Sequence, residues 1–161
     1  MIRPLTQADT ATIWAFMQAS ADYIWMEREE EPRPYLVEEY LTDAPPGIDP
    51  PSSHRAGLFD GETLVALAEL AFGFPGPQDS FLGLMMVRST ARGNGAGARL
   101  LRHLEEVARA RGAARMFLAV LDGNPRGRAF WTREGFTPTG VKRTVTLGQK
   151  TQASERLFKP L

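Results

Sequence analysis

Arg92, Gly93, Gly95 and Gly97 crowd into the ten residues RGNGAGARLL (92–101). Glycine is costly inside a helix, so three of them at an expected helix start imply that something approaches the backbone closely. Successive free N–H groups in such a turn form an anion-binding concavity at the positive end of a helix. Side chains would keep a pyrophosphate out of it, and Arg92 can add its own charge. The second chemistry-bearing position is Glu69, a carboxylate within the apolar run LVALAELAF. A carboxylate among apolar neighbours holds its proton more tightly, which suits a general base. The competing reading is an alternating strand that points Glu69 to solvent. Asp79 and Asp122 are weaker choices for the base, and Asp122 suits the turn ahead of Asn124.

Three ligands compete for the glycines. A P-loop requires Gly-Lys-Ser/Thr, but Gly97 is followed by Ala98 and Arg99. A Rossmann dinucleotide site fits GNGAGA (93–98), with Asp122 ending the next strand. In that fold the glycines follow their strand at once, whereas RSTAR intervenes here, and too little chain follows for two nucleotide-binding halves. The pattern R-x-x-G-x-G, formed by Arg92, Gly95 and Gly97, leaves a pyrophosphate that need not belong to a dinucleotide.

The elements that must position these residues are legible in outline. MIRPL reads as a strand, and Thr6 or Asp9 caps a helix through Ile13, Trp14, Phe16 and Met17. A second helix is expected from Pro34 to Leu41, then the proline-rich loop DAPPGIDPPSS. HRAGLF and ETLVALAELAF form a hairpin around Asp60-Gly61. SFLGLMMV (80–87) is apolar enough to be central and covered on both faces. The helix from Gly97 to Arg111 buries Leu100, Leu101, Leu104, Val107 and Ala108. Its polar face carries Arg99, Arg102, His103, Glu105, Glu106 and Arg109, with Arg102–Glu106 and Glu105–Arg109 as i,i+4 pairs. Gly112 ends it. ARMFLAVL (114–121) is the next buried strand. Asn124 and Pro125 open a helix that Gly135 closes, and VKRTVTL and ASERLFKP form two last strands around Gly148. The order is β-α-α-β-β-β-α-β-α-β-β, with a parallel crossover between 80–87 and 114–121. It describes an α/β domain with a mixed sheet and helices on both faces.

Bulk properties narrow the function. The 161 residues suit one domain, 1–161, and the absence of cysteine excludes disulfides and zinc-thiolate sites. Net charge is zero, which argues against nucleic acid, and no apolar run is long enough to span a membrane. The N-terminus has no signal-peptide pattern, so a cytoplasmic protein is expected. His103 is expected to be solvated and His54 to begin a strand, and two isolated histidines do not make a metal site. Residues 22–49 hold nine acids against Arg28 and Arg33, so the remainder is net basic. That split suits an anionic cofactor at one end and a cationic substrate at the other.

LMMVRSTARGNGAGARLLRHLEEVA resembles the acyl-CoA-binding segment of the GNAT superfamily of N-acetyltransferases, and NPRGRAFWTREGF (124–136) resembles the family's next segment, N-x-x-A-x-x-x-Y-x-x-x-G-F. Asn124, Phe130, Gly135 and Phe136 fit, and the resemblance extends over nearly the whole chain. It implies a mostly antiparallel sheet with a central parallel, splayed strand pair. It further implies that the backbone of Met85, Met86 and Val87 holds the pantetheine arm of acetyl-CoA, that Arg92, Gly93, Asn94, Gly95, Ala96 and Gly97 bind the pyrophosphate, and that Asn124 touches the cofactor arm. Gly127 stands at the family's Ala. Trp131 stands where many members carry the Tyr that protonates the leaving thiolate. Trp has no such proton, so the thiolate leaves unaided, or water or another residue supplies it. Trp131 itself packs its helix or touches the cofactor. The resemblance implies acetyl transfer to a primary amine and, as a family-level expectation, a homodimer; Glu69 is the first choice for the base. The resemblance also makes the first two helices and nearby loops the acceptor side; here residues 22–43 mix acids with Tyr23, Trp25, Tyr35 and Tyr40, which either favours a small cationic amine or forms a solvated acidic face. A non-catalytic acyl-CoA-binding module is the alternative.

Overall fold

A computed structural model describes residues 1–161. Seven strands form one sheet that spans the chain: β1 (Ile2–Pro4), β2 (His54–Asp60), β3 (Thr63–Phe72), β4 (Asp79–Val87), β5 (Arg115–Leu121), β6 (Thr137–Leu147) and β7 (Lys150–Pro160). Their spatial order is β1-β2-β3-β4-β5-β7-β6. Every pairing is antiparallel except β4 with β5. Helices α1 (Thr10–Ala19), α2 (Ala21–Arg28) and α3 (Tyr35–Thr42) cover one face; α4 (Ala96–Ala110) and α5 (Pro125–Arg133) cover the other.

The first helical segment holds two helices rather than one. Ile13, Phe16 and Met17 form the buried stripe of α1. The chain then breaks at the fully buried Ser20, and α2 continues with Ile24 and Arg28 turned inward. Thr6 caps a short 3-10 turn ahead of α1, while Asp9 accepts from the Thr6 N–H at 2.9 Å. The β2–β3 hairpin turns at Gly61-Glu62, one residue later than expected, because Asp60 is still paired with Thr63. The last two strands begin earlier than expected, at Thr137 and Lys150.

In α4, Leu100, Leu101 and Leu104 are fully buried. Each contributes about 1.5–3 kcal/mol, enough to outweigh the glycine in the first turn at about 1 kcal/mol. The expected polar face needs correction. Glu105 is buried, because Lys159 of β7 reaches down to it at 2.6 Å and compensates its charge. Arg109 does pair with Glu105 at 3.8 Å, but Arg102 pairs with Glu134 at 2.7 Å rather than with Glu106. His103 is not simply solvated either. Its Nε2 lies 3.0 Å from Nε2 of His54, so β2 and α4 are joined by a histidine pair. No third His, Asp or Glu completes a metal-binding group there.

Burial, then His103 and Arg111, lower the His54 pKa below the ordinary 6.5. The folded state therefore resists a proton that the unfolded chain accepts, and stability present above pH 6.5 is lost as pH falls toward the depressed value. Urea unfolding between pH 8 and pH 5 should show a steeper loss in wild type than in His54→Gln; parallel profiles would refute this role for the pair.

Candidate active site

Strand β4 organises the site. It pairs with β5 only from Asp79 to Leu82, and from Gly83 onward the two parallel strands separate. Meanwhile β3 stays paired with β4 as far as Val87, across a bulge at Gly83, where Glu69 opposes Leu84 and Leu70 opposes Leu82. Met85, Met86 and Val87 thus keep an edge that β5 does not cover. Met86 is buried against the α1–α3 layer, and Met85 and Val87 pack toward α4.

The glycine turn lies just beyond that edge. No backbone N–H from Gly93 through Ala98 donates to a backbone carbonyl; the first to do so is Arg99, to Gly95 at 3.0 Å. Gly95 occupies the N-cap of α4 without a capping side chain. Gly93 and Gly95 have φ of 81° and 87°, values that favour glycine, and a Cβ on either would meet nothing within 4 Å. Gly97 serves differently: its Cβ would lie 3.4 Å from the Phe130 ring, so its absence lets α4 approach α5. The turn is a row of donors without backbone acceptors at a helix N-terminus, and nothing stands over Gly93 or Gly95. Asn94 is exposed there, and Ala96 is buried beneath it.

Arg92 is turned away from this row. Its Nε donates to the Val87 carbonyl at 3.0 Å, and its guanidinium is paired with Asp22 of α2. Arg88, which the sequence reading passed over, keeps its Nε buried without a partner at the end of β4.

Asn124 caps α5 as expected, its Oδ1 accepting from Gly127 N–H at 2.9 Å. A Cβ on Gly127 would come within 2.4 Å of the Asn124 amide. Glycine at this position therefore makes room for the cap. Trp131 is buried in the α4–α5 core, edge-on to Phe130 and Phe136 at 4.9 and 5.4 Å.

On the other side of β4, the lodging of Glu69 depends on the bulge. Its Oε2 would stand 2.3 Å from a Cβ on Gly83, so only glycine admits it. Glu69 is 6% exposed, and its Oε1 has no hydrogen-bond partner. The solvent-facing reading is thereby excluded. Arg55, directly across the β2–β3 ladder, does not pair with it: its guanidinium donates to the carbonyls of Tyr40, Pro50 and Asp43 at 2.6–2.8 Å. Burial raises the Glu69 pKa above the ordinary carboxylate value, and Ser53 and Arg55 offset only part of that. A groove of about 350 Å³ opens beside it, walled by α2, α3, β4 and the β6–β7 hairpin. Tyr40, also on the groove, donates its hydroxyl to the Ala68 carbonyl at 2.7 Å, and burial pushes its phenol far up.

The other two acids do not reach this place. Asp79 sits at the opposite end of β4, bound to Arg115 and to the Gly76 N–H, both at 2.9 Å. Asp122 is exposed beyond the end of β5. Sequence reasoning missed Gly83, although a lone glycine inside an apolar strand is a bulge signal.

The mixed sheet, its splayed parallel pair and the turn of free N–H groups agree with the fold that the sequence resemblance implies. Residues 15–136 match the Acetyltransferase (GNAT) family, and the chain belongs to it. A Bacillus subtilis (strain 168) protein described as the uncharacterized N-acetyltransferase YobR is 34% identical over 91 residues, which is 55% of this chain and 35% of that protein. The match thus spans about a third of that relative's length. The crystal structure of an acetyltransferase from Thermus thermophilus superposes with a TM-score of 0.76 at 24% identity, over 100% of this chain and 96% of that one. The ribosomal-protein-S18-alanine N-acetyltransferase of Escherichia coli gives 0.73 at 16% identity, over 99% and 92%. Both share the fold. No helix is long and apolar enough to cross a membrane.

Proposed function

We propose that residues 1–161 form one acetyltransferase domain that moves the acetyl group of acetyl-CoA to a primary amine on a small molecule. The observation that carries the reading is the convergence on β4: an unpaired strand edge and free N–H groups on one side of the splay, a buried carboxylate with one oxygen unpartnered on the other. These residues fit the co-substrate, since two glycines bare the turn and leave it open. When bound, acetyl-CoA supplies an electrophilic thioester with a thiolate leaving group.

The chain's own groups then divide the work. Gly93 to Ala98 bind phosphate oxygens through their N–H groups, with Arg92 available once it leaves Asp22. Met85 to Val87 align the arm along the free edge, and Asn124 with Gly127 flanks it from α5. The amine enters the groove as an ammonium and must lose a proton before it can attack. Glu69 takes that proton, because it is ionised yet unpaired above its raised pKa. Trp131 has no acidic proton and packs the core behind the arm. The proposal places the protein in the cytoplasm, where its acyl donor is made, and leaves a homodimer compatible with the fold.

Thiol release and product mass, measured with acetyl-CoA and a panel of primary amines, test the reading. Steady turnover with an N-acetylated product is expected. Tight acetyl-CoA binding with no turnover of any amine would instead make this a non-catalytic acyl-CoA-binding module.

A further inference from the structure

The groove beside Glu69 contains two cations that proton transfer does not use. Arg143 of β6 and Arg156 of β7 both line it from the hairpin wall. Arg143 opposes Ser154 across the ladder, and Arg156 follows Ser154 by two residues, so all three share a face. Neither guanidinium makes an ion pair or a side-chain hydrogen bond. Of the acids that line the groove, Asp43 and Glu69 form no ion pair with either arginine, and the other two, Glu27 and Glu39, are held by Arg28 at 3.1 and 2.6 Å. Glu155 points to the opposite face, where Arg128 holds it at 2.6 Å.

Arg156 is also held in place. Its guanidinium stacks over Phe74 at 5.6 Å and Phe81 at 5.5 Å, and these two rings meet edge-on at 5.3 Å. Stacking fixes the plane of the fork and leaves its N–H donors free. Burial, and then the like charge of Arg143, lower the Arg156 pKa. Three other arginines near the groove are engaged, Arg28 by carboxylates, Arg55 by three carbonyls and Arg92 by Asp22.

We propose that the acceptor is an amine that also carries an oxygen-acid anion, a carboxylate or a phosphonate, which Arg143 and Arg156 hold while the amine faces Glu69. This deepens the acetyl-transfer reading and rests on it. It narrows the cationic acceptor expected from the acid-rich helices to a zwitterion, since Arg28 neutralises much of that acidity within the groove. A polyamine would bring its second ammonium against two arginines. Glu69 is lodged at Gly83 and Arg156 stacks on Phe81, two residues earlier on β4, so the amine and the anion are separated by a short spacer, on the order of 7 Å between their anchoring strand positions.

The test uses matched acceptors with acetyl-CoA: α- and ω-amino acids against their carboxamides and decarboxylated amines, aminoalkylphosphonates, and spermidine. The anionic member of each pair should be preferred by roughly tenfold or more in kcat/KM, the scale of charge-assisted hydrogen bonds. The ratio of carboxylate to phosphonate identifies the source of the anion. In Arg156→Gln the preference should collapse toward unity through KM, and Arg156→Lys should recover part of it; Arg143→Gln should act in the same direction. Melting curves confirm that each variant is folded. A second readout needs no turnover: N-acetyl amino acids should bind wild type by calorimetry and bind Arg156→Gln roughly tenfold more weakly. Equal use of amides, plain amines or spermidine, or an unchanged preference in Arg156→Gln, overturns the proposal. Binding of N-acetyl amino acids without turnover of any amine would keep the anion site and remove the acetyl-transfer reading. Turnover of plain amines without that binding would do the reverse, and neither binding nor turnover would remove both.

Discussion

Gly95→Glu is expected to abolish acetyl-CoA binding in a protein that still folds. Gly95 sits at φ 87° with nothing within 4 Å of its would-be Cβ, so a side chain meets no neighbour and the strain is confined to the local backbone. The conformational cost is about 1–2 kcal/mol, against a typical domain stability of about 5–15 kcal/mol. The effect on binding is far larger. A carboxylate would project into the row of free N–H groups from Gly93 to Ala98, where a pyrophosphate is to be held. Like charge in place of charge-assisted hydrogen bonds should weaken binding by roughly a hundredfold or more. Gly95→Asn is the control, because Asn tolerates the left-handed conformation without adding charge, and it should retain much of the affinity. If Gly95→Glu binds acetyl-CoA like wild type, the glycines serve only the turn.

The second large effect falls on Glu69. Glu69→Gln should lower kcat by about 10²–10⁴-fold, the usual contribution of a positioned base. The melting temperature should move in the other direction or hold. Burial raises the folded-state pKa of Glu69, so its stabilising contribution is complete only below the ordinary carboxylate value and is lost as pH rises through the raised one. Above the raised value the ionised carboxylate, one oxygen of which lacks a partner, therefore costs stability that a neutral amide of the same shape does not. A falling rate with rising stability is what a residue kept for chemistry shows, whereas a packing residue would lose both. The rate should also decline in acid with an apparent pKa above the ordinary carboxylate range, and that limb should be missing in Glu69→Gln. Gly83→Ala should reproduce the rate loss, because its Cβ would occupy the space of Glu69 Oε2. If Glu69→Gln leaves kcat intact, the base lies elsewhere.

Local signals carried much of this architecture in the sequence. The glycines, the Asn124-Pro125 helix start and the stripe of Leu100, Leu101 and Leu104 each act within a few residues, so spacing alone exposes them. What stayed hidden depends on residues far apart in the chain. Glu105 reads as a surface residue until Lys159, 54 positions away, arrives at 2.6 Å. His54 and His103 meet only because α4 packs across β2. Arg143 and Arg156 look like the polar face of two ordinary strands, and only the β6–β7 hairpin brings them to the groove. Arg92 illustrates a different limit: its motif gives it to the anion, yet in the structure Asp22 and the Val87 carbonyl hold it.

Calorimetric titration of the wild-type protein with acetyl-CoA, CoA and NADP tests most directly whether the glycine turn holds the pyrophosphate of an acyl-CoA. One-to-one binding of both CoA forms and no heat from NADP are expected. Binding of NADP, or no binding of either CoA form, would contradict that role for the turn.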